Sequence, residues 1–324
     1  MNPLISVCIP NYNCEKFIEK MVSTIQNQTY SNLDILIGDN TSTDQSIAII
    51  QALQAKDQRI RYYQNLQNIG FARNCNRLIE EAKGEYVAIY HSDDMYDKTI
   101  IEKQKQFLDQ HPEVAAVFTR HVLIDPTDKV IKSAEKCGTD YIIFDQTGYL
   151  DSFICDDKNI IVCPTGMFRR SVLLDLKGFD LEIKYIEDVE LWVRILENHK
   201  IGILNEPLFK YRVHFNQGSQ VYKQLDRESL HFSIPYLQEY FKKSPDLQAR
   251  YQEPMKKMIA DDYLELAKNQ IILKNKAKLI EYIRVSKKYF IFPFPSKQWL
   301  TQHSKWVFIR FFMRLQMLKN RGMI

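Results

Sequence analysis

Short apolar runs at residues 4–9, 33–37, 60–64, 86–90 and 114–119 alternate with longer stretches at 15–26, 44–56, 71–82 and 98–110. The runs, rich in Ile, Val and Tyr, read as strands; the longer stretches repeat their apolar positions at helical spacing. Strict alternation of the two predicts right-handed βαβ units, hence an α/β fold with a mostly parallel sheet flanked by helices. Ser42 with Gln45 has the spacing of a capping box, and Gly84 reads as a helix stop. From 118 to 161 the pattern turns irregular, broken by a turn at Asp125-Pro126. Order returns over 165–213, with a helix near 188–197 and short strands at 201–204 and 209–213, and beyond Tyr222 the chain reads as helical. These boundaries predict a first domain over 1–222 and a helical C-terminal region over 223–324.

Parallel α/β sheets bind ligands at the carboxyl ends of their strands, which here means residues 10–13, 39–44, 65–70 and 91–94. The first of these turns contains no glycine, which speaks against a dinucleotide pyrophosphate turn, and no G-x-x-x-x-G-K-[ST] loop occurs. A phosphate must therefore be held by side chains and metal. Asp93 and Asp94 repel each other at the end of an apolar strand, an arrangement that suits a hard divalent cation. An isolated Asp-Asp would read as a turn and helix cap, but acidic residues recur at other strand exits.

The chain has 324 residues, 45% of them hydrophobic, enough for one large domain with an appendage or for two domains. Its six cysteines show no C-x-x-C pair, which predicts free thiols in a reduced compartment and no zinc site. No apolar run approaches the roughly 20 residues of a membrane span and no leader is visible, so a cytoplasmic location is expected. The net charge of +4 conceals an asymmetry: nine of the 44 basic residues and none of the acidic ones lie in 284–324.

In their order along the chain, these stations resemble the family 2 glycosyltransferases of the GT-A fold, which use nucleotide-diphosphate sugars. The resemblance spans roughly residues 5–219. Ile5-Ser-Val-Cys-Ile-Pro-Asn-Tyr-Asn13 is similar to the opening strand and turn, which implies nucleotide contacts at Pro10 and Tyr12. Asp39-Asn-Thr-Ser-Thr-Asp44 resembles a station usually reading Asp-Asp-Gly-Ser-Thr-Asp; it implies a base contact at Asp39 and makes Asn40 and Thr41 departures. Asn68-Ile-Gly-Phe-Ala-Arg-Asn74 looks like the segment supporting the donor, with contacts at Asn68 and Arg73. His91-Ser-Asp-Asp94 fits the metal motif, which implies that Asp94 ligates Mn2+ or Mg2+ and Asp93 meets the ribose, while His91 stands where many members have Asp. Glu187-Asp188 resembles the acceptor-side motif, implying Asp188 as catalytic base. Tyr211-Arg-Val-His214, followed by Ser219, resembles the closing segment, with His214 completing the metal shell.

The implied reaction is inverting transfer of a sugar, from a UDP donor by family frequency, to a saccharide or lipid-linked acceptor in cell-surface polysaccharide or glycolipid synthesis. A positioned carboxylate taking the acceptor proton is typically worth about 10²- to 10⁴-fold. Asp188 also reads as a helix N-terminal acid, His214 as a polar strand end, and Trp192 as a core residue or a sugar platform. Arg169 and Arg170 read as solvent-facing and stay outside the site. A non-catalytic sugar-nucleotide-binding module is the rival reading; a nucleotidyltransferase would want a glycine-rich basic turn that is missing. For the basic tail, one reading is an anionic membrane surface, where each cation contributes about 1 kcal/mol, and the other is a helix packed on the body. The acidic body and missing motifs speak against nucleic acid.

Overall fold

In the computed structural model, which describes residues 2–133, 138–156, 160–214, 217 and 227–289, the runs become β1 (Ile5–Asn11), β2 (Leu33–Asp39), β3 (Ile60–Gln64), β4 (Tyr86–Ile89) and β6 (Val114–Ile124). A short strand, β5 (Met95–Tyr96), follows β4. The amphipathic stretches become α1 (Ile18–Gln26), α2 (Ser46–Lys56), α3 (Phe71–Glu81) and α4 (Ile100–Gln110). Then come β7 (Val130–Lys132), β8 (Tyr141–Phe144), α5 (Gln146–Leu150), β9 (Gly166–Arg169), α6 (Arg170–Asp175), α7 (Glu187–Ile195) and β10 (Lys200–Arg212). Among the described residues, all ten strands join one sheet in the order β3-β2-β1-β4-β9-β6-β10-β5, with β7 beside β6 and β8 beside β10. From β3 to β4 every pairing is parallel, as the alternation predicts. β9 then enters antiparallel between β4 and β6, and β6 pairs parallel with β10.

β1 and β2 are buried almost throughout, so their hydrophobic runs are continuous, as both-faced burial requires. Met21, Val22 and Ile25 of α1 pack with Ile50 of α2 and Ile35 and Ile37 of β2 in one core. At roughly 25 cal/mol per Å² of apolar surface, burying such a side chain fully stabilises the fold by about 1.5–3 kcal/mol.

Several sequence expectations change in detail. The Ser42/Gln45 capping box does not form: α2 starts at Ser46 with no side-chain cap, because the Ser42 hydroxyl is taken by Asp39. Gly84 does not end α3, which stops at Glu81. Glycine is needed there because a Cβ would lie 2.5 Å from the Ser6 nitrogen. The strands at 201–204 and 209–213 are one strand, β10, irregular between Leu204 and Phe209 where it leaves and rejoins register with β6. The irregular section begins later than its pattern suggests, since β6 continues to Ile124.

The chain divides into two units, Met1–Phe215 and Asn216–Ile324. The second contains α8 (Ser233–Phe241), α9 (Pro245–Ile272) and α10 (Lys276–Tyr289). Leu266 and Ala267 of α9 pack on Leu279 and Tyr282 of α10, and the Ser286 hydroxyl donates to the Ala260 carbonyl at 3.0 Å. Cys137, Ser219 and the tail from 290 onward lie outside the described residues. The other five cysteines are free thiols.

Candidate active site

The turn carrying the acidic pair is shaped from both sides. Past β4, buried Tyr90 stacks on Tyr96 with ring centroids 4.0 Å apart, and the Tyr96 hydroxyl accepts from the His91 N–H at 2.8 Å. Tyr96 belongs to β5, whose antiparallel pairing with β10 brings the turn against the end of that long strand. There the Arg212 N–H donates to Asp94 Oδ1 at 2.8 Å and its Nε to the Asp93 carbonyl at 2.6 Å. His214 Nε2 lies 2.9 Å from Asp93 Oδ2.

Arg212 is only 2% exposed. Its guanidinium sits 4.6 Å from the centre of the Phe17 ring and donates to Asp128 Oδ1 at 2.6 Å and the Asp125 carbonyl at 3.1 Å. Lys20 of α1 pairs with the same Asp128 carboxylate. Phe17 also meets the His214 ring, centroids 5.2 Å apart. A buried cation thus stands behind two carboxylates that would otherwise repel each other.

The electrostatics follow. Burial, reinforced by the Asp93 charge, pushes the Asp94 carboxyl well above the usual range despite Arg212. For Asp93, burial also pushes upward, but the His214 hydrogen bond and the charges of both imidazoles outweigh it and hold the carboxyl low. Burial pushes the His91 imidazole down against the pull of Asp93. Asp94 Oδ2 and His91 Nε2 are buried without a hydrogen-bond partner, each a cost of about 1–3 kcal/mol when left unmet. One ring nitrogen of His91 and one oxygen each from Asp93 and Asp94 lie within 4.8 Å of one another. This donor set fits a divalent cation of the Mn2+ or Mg2+ kind.

The first two strand exits form a second constellation. Asn11 and Asp39 are register partners at the ends of β1 and β2. Asn11 Nδ2 donates to Asp39 Oδ2 at 2.8 Å, and the Ser42 N–H donates to Asp39 Oδ1 at 2.8 Å. Thr41, where the resembled motif has glycine, takes φ 64°, a left-handed conformation costly for a β-branched residue. Its hydroxyl offsets this by donating to the Asn65 carbonyl at 2.9 Å. Asn68 Oδ1 accepts from Asn40 Nδ2 at 2.7 Å, so it shapes this turn. Pro10 lies within β1 and Tyr12, just past it, is 51% exposed.

Asp188 stands in the first turn of α7. Burial pushes its carboxyl up to about 6, against the Val189 N–H and with the help of Glu187. Glu187, Arg73, Phe71, Lys184 and Tyr185 line a cleft of about 340 Å³. The Phe71 ring also packs edge-on against His91 at 5.3 Å, so one aromatic wall adjoins both the metal-fitting cluster and the cleft beside Asp188. The loop before α7 is held by Asn76, whose Oδ1 accepts from the Phe179 N–H and whose Nδ2 donates to its carbonyl, both at 2.8 Å.

Residues 6–176 match the family described as Glycosyl transferase family 2. The chain belongs to that family. It is a glycosyltransferase. The Bacillus subtilis (strain 168) glycosyltransferase TuaG, whose name ties it to teichuronic acid biosynthesis, is 29% identical over 71% of this chain and 90% of its own. The fold is similar to that of Staphylococcus aureus TarS 1-349 in complex with UDP-GlcNAc, TM-score 0.57 at 16% identity over 88% and 90% of the two chains. It is also similar to the mannosyltransferase PcManGT of Pyrobaculum calidifontis with GDP-Man and Mn2+, TM-score 0.56 at 15% identity over 90% and 77%. These likenesses show the GT-A fold.

Set against the family reading, Asp93, Asp94 and His214 come together, Asp39 and Asn68 belong to the turns at the ends of β2 and β3, and Arg73 lines the cleft. Trp192 is fully buried between Phe118 and Phe168 and is core. Arg169 is not solvent-facing: its guanidinium donates to the Leu108, His111 and Val114 carbonyls. The sequence reading missed Arg212, Asp128, Phe17 and Asn11. An arginine two residues before His214, at the end of β10, is a signal that points to a counter-charge for the acidic pair.

Proposed function

We propose that this family 2 glycosyltransferase is metal-dependent and inverting, and moves a sugar from a UDP-linked donor to a saccharide or lipid-linked acceptor. The observation that carries this is the buried Asp93–Asp94 pair, one of whose carboxylate oxygens has no partner, backed by Arg212 and His214. Asp94 and His214 would hold Mn2+ or Mg2+, and the cation, once bound, would stabilise the charge that grows on the leaving diphosphate. TarS with UDP-GlcNAc and PcManGT with GDP-Man and Mn2+ support a nucleotide-sugar donor and a cation.

On the donor side, Pro10, Tyr12 and Asp39 present the base-binding edge, Asn68 keeps its turn in shape, Asp93 meets the ribose, and Arg73 approaches the donor from the cleft. On the acceptor side, Asp188 takes the hydroxyl proton onto its carboxylate as the oxygen attacks the anomeric carbon. With one base and no second nucleophile assigned, a single in-line displacement inverts that centre. The first 222 residues would carry the chemistry. TuaG supports a place in cell-surface polysaccharide synthesis. The basic segment 284–324 would hold the enzyme to an anionic cytoplasmic leaflet; among the described residues no helix is long and apolar enough to cross a membrane.

Purified protein incubated with a panel of nucleotide sugars and Mn2+ should release nucleoside diphosphate, and chelation should stop it. Donor binding without release, with or without acceptor, would favour the non-catalytic module instead. Flotation with phosphatidylserine vesicles tests the tail: protein that stays in solution at low salt removes the membrane reading.

A further inference from the structure

We propose that His91 is itself a ligand of the divalent cation, and that its imidazole makes this site select Mn2+ and neighbouring transition cations over Mg2+. The inference rests on the metal-dependent reading above and narrows it to a class of cation.

His91 occupies a position where a third carboxylate would complete an all-oxygen cluster. Its backbone is fixed by the hydrogen bond to the Tyr96 hydroxyl at 2.8 Å, and its ring is held edge-on against Phe71 at 75°. The side chain is therefore placed by the fold. Nε2 is buried without a hydrogen-bond partner, as is Oδ2 of Asp94, a residue 1% exposed. Two such atoms on adjoining side chains, with no protein group as hydrogen-bond partner, are an expensive arrangement unless something joins them.

The spread of the His91, Asp93 and Asp94 donor atoms, at most 4.8 Å, is close to the reach of one ion. Opposite vertices of an octahedron with bonds of about 2.1 Å lie about 4.2 Å apart. The set offers one imidazole and two carboxylates, with a second imidazole, that of His214, bonded to Asp93 beside it. Mg2+ prefers oxygen donors and gives up water reluctantly, whereas imidazole nitrogen suits first-row transition cations. An aspartate at position 91 would leave the choice open; a histidine biases it.

Pulsed EPR of Mn2+ with UDP on the full-length protein reads nitrogen ligation directly, as ¹⁴N modulation of the manganese signal. His214→Ala isolates the contribution of His91: nitrogen modulation should persist there and disappear when His91→Asp is added. Should His214→Ala fail to retain the ion, wild type is compared with His91→Asn; loss of one of two nitrogen couplings supports the proposal and an unchanged pattern overturns it. Competition between Mn2+ and Mg2+ gives an independent readout. His91→Asp should move the affinity ratio toward Mg2+ by about tenfold or more. Oxygen-only coordination in His214→Ala, or an unchanged ratio in His91→Asp, would refute ligation by His91 while leaving metal dependence standing. Failure of the wild type to bind Mn2+ with UDP present would refute the metal-dependent reading itself, and this inference with it.

Discussion

Arg212 donates its backbone N–H to Asp94 Oδ1 at 2.8 Å across 118 residues of chain. The same residue places its guanidinium behind the Asp93 carbonyl, so one arginine serves the acidic pair twice, by main chain and by side chain. Only the second service depends on residue type. Arg212→Ala should cost about 3–5 kcal/mol, the range for breaking a buried ion pair. Urea denaturation checks it, and a loss below about 1 kcal/mol would mean the guanidinium is not the counter-charge it looks like.

Asp128 is a milder case because it is partly exposed and Arg212 keeps its carbonyl acceptors. Asp128→Ala should cost about 1 kcal/mol, and removing its Lys20 partner still less, as exposed pairs do. Its effect on function should be the larger one. A severalfold rise in the Mn2+ concentration needed for half-maximal activity is expected, and an unchanged requirement would detach Asp128 from the site.

Asp188, the proposed base, has its carboxyl raised to about 6 and is protonated in mild acid, so kcat/KM should fall with a slope of one below about pH 6. Asp188→Asn should reduce turnover by about 10²- to 10⁴-fold while leaving donor binding intact. The same shift acts on stability with a definite sign. A carboxyl raised in the folded state contributes stability that is full below its unfolded value of 3.8 and is lost as pH rises through about 6. The stability of Asp188→Asn relative to wild type should therefore increase between pH 4 and 7, and a flat difference would contradict the shift.

Gly178 takes φ 65°, and a Cβ there would lie 2.2 Å from Asn76 Oδ1. Gly178→Ala combines backbone strain of about 1–2 kcal/mol with loss of the Asn76 clasp on Phe179. Because that clasp holds the loop leading into α7, turnover should drop together with melting temperature. A variant with wild-type melting behaviour would show that the loop yields easily.

The parallel half of the sheet is legible from the chain because β1, β2 and β4 are buried on both faces and each helix on one, so periodicity changes where the element changes; the edge strand β3, with only Ile60 buried, still coincides with 60–64. β10 is harder to read, since Glu206 and Pro207 interrupt its apolar pattern while the strand continues. Ser42 misleads for a different reason: a hydroxyl can cap a helix or serve a carboxylate, and only the fold brings Asp39 within 2.6 Å of it. Asp93, Asp94 and His214 stand out because their spacing resembles a known motif. Asp128 does not, since its link to Arg212 spans 84 residues and lies in a section without periodicity.

Because the acidic pair is made early and its arginine and histidine come from the end of β10, a nascent chain has the carboxylates long before it has their support. The centre can assemble only after that last strand has docked. A truncated product stopping before residue 200 would lack the Arg212 and His214 contacts to Asp93 and Asp94 and would present two mutually repelling acids without that support.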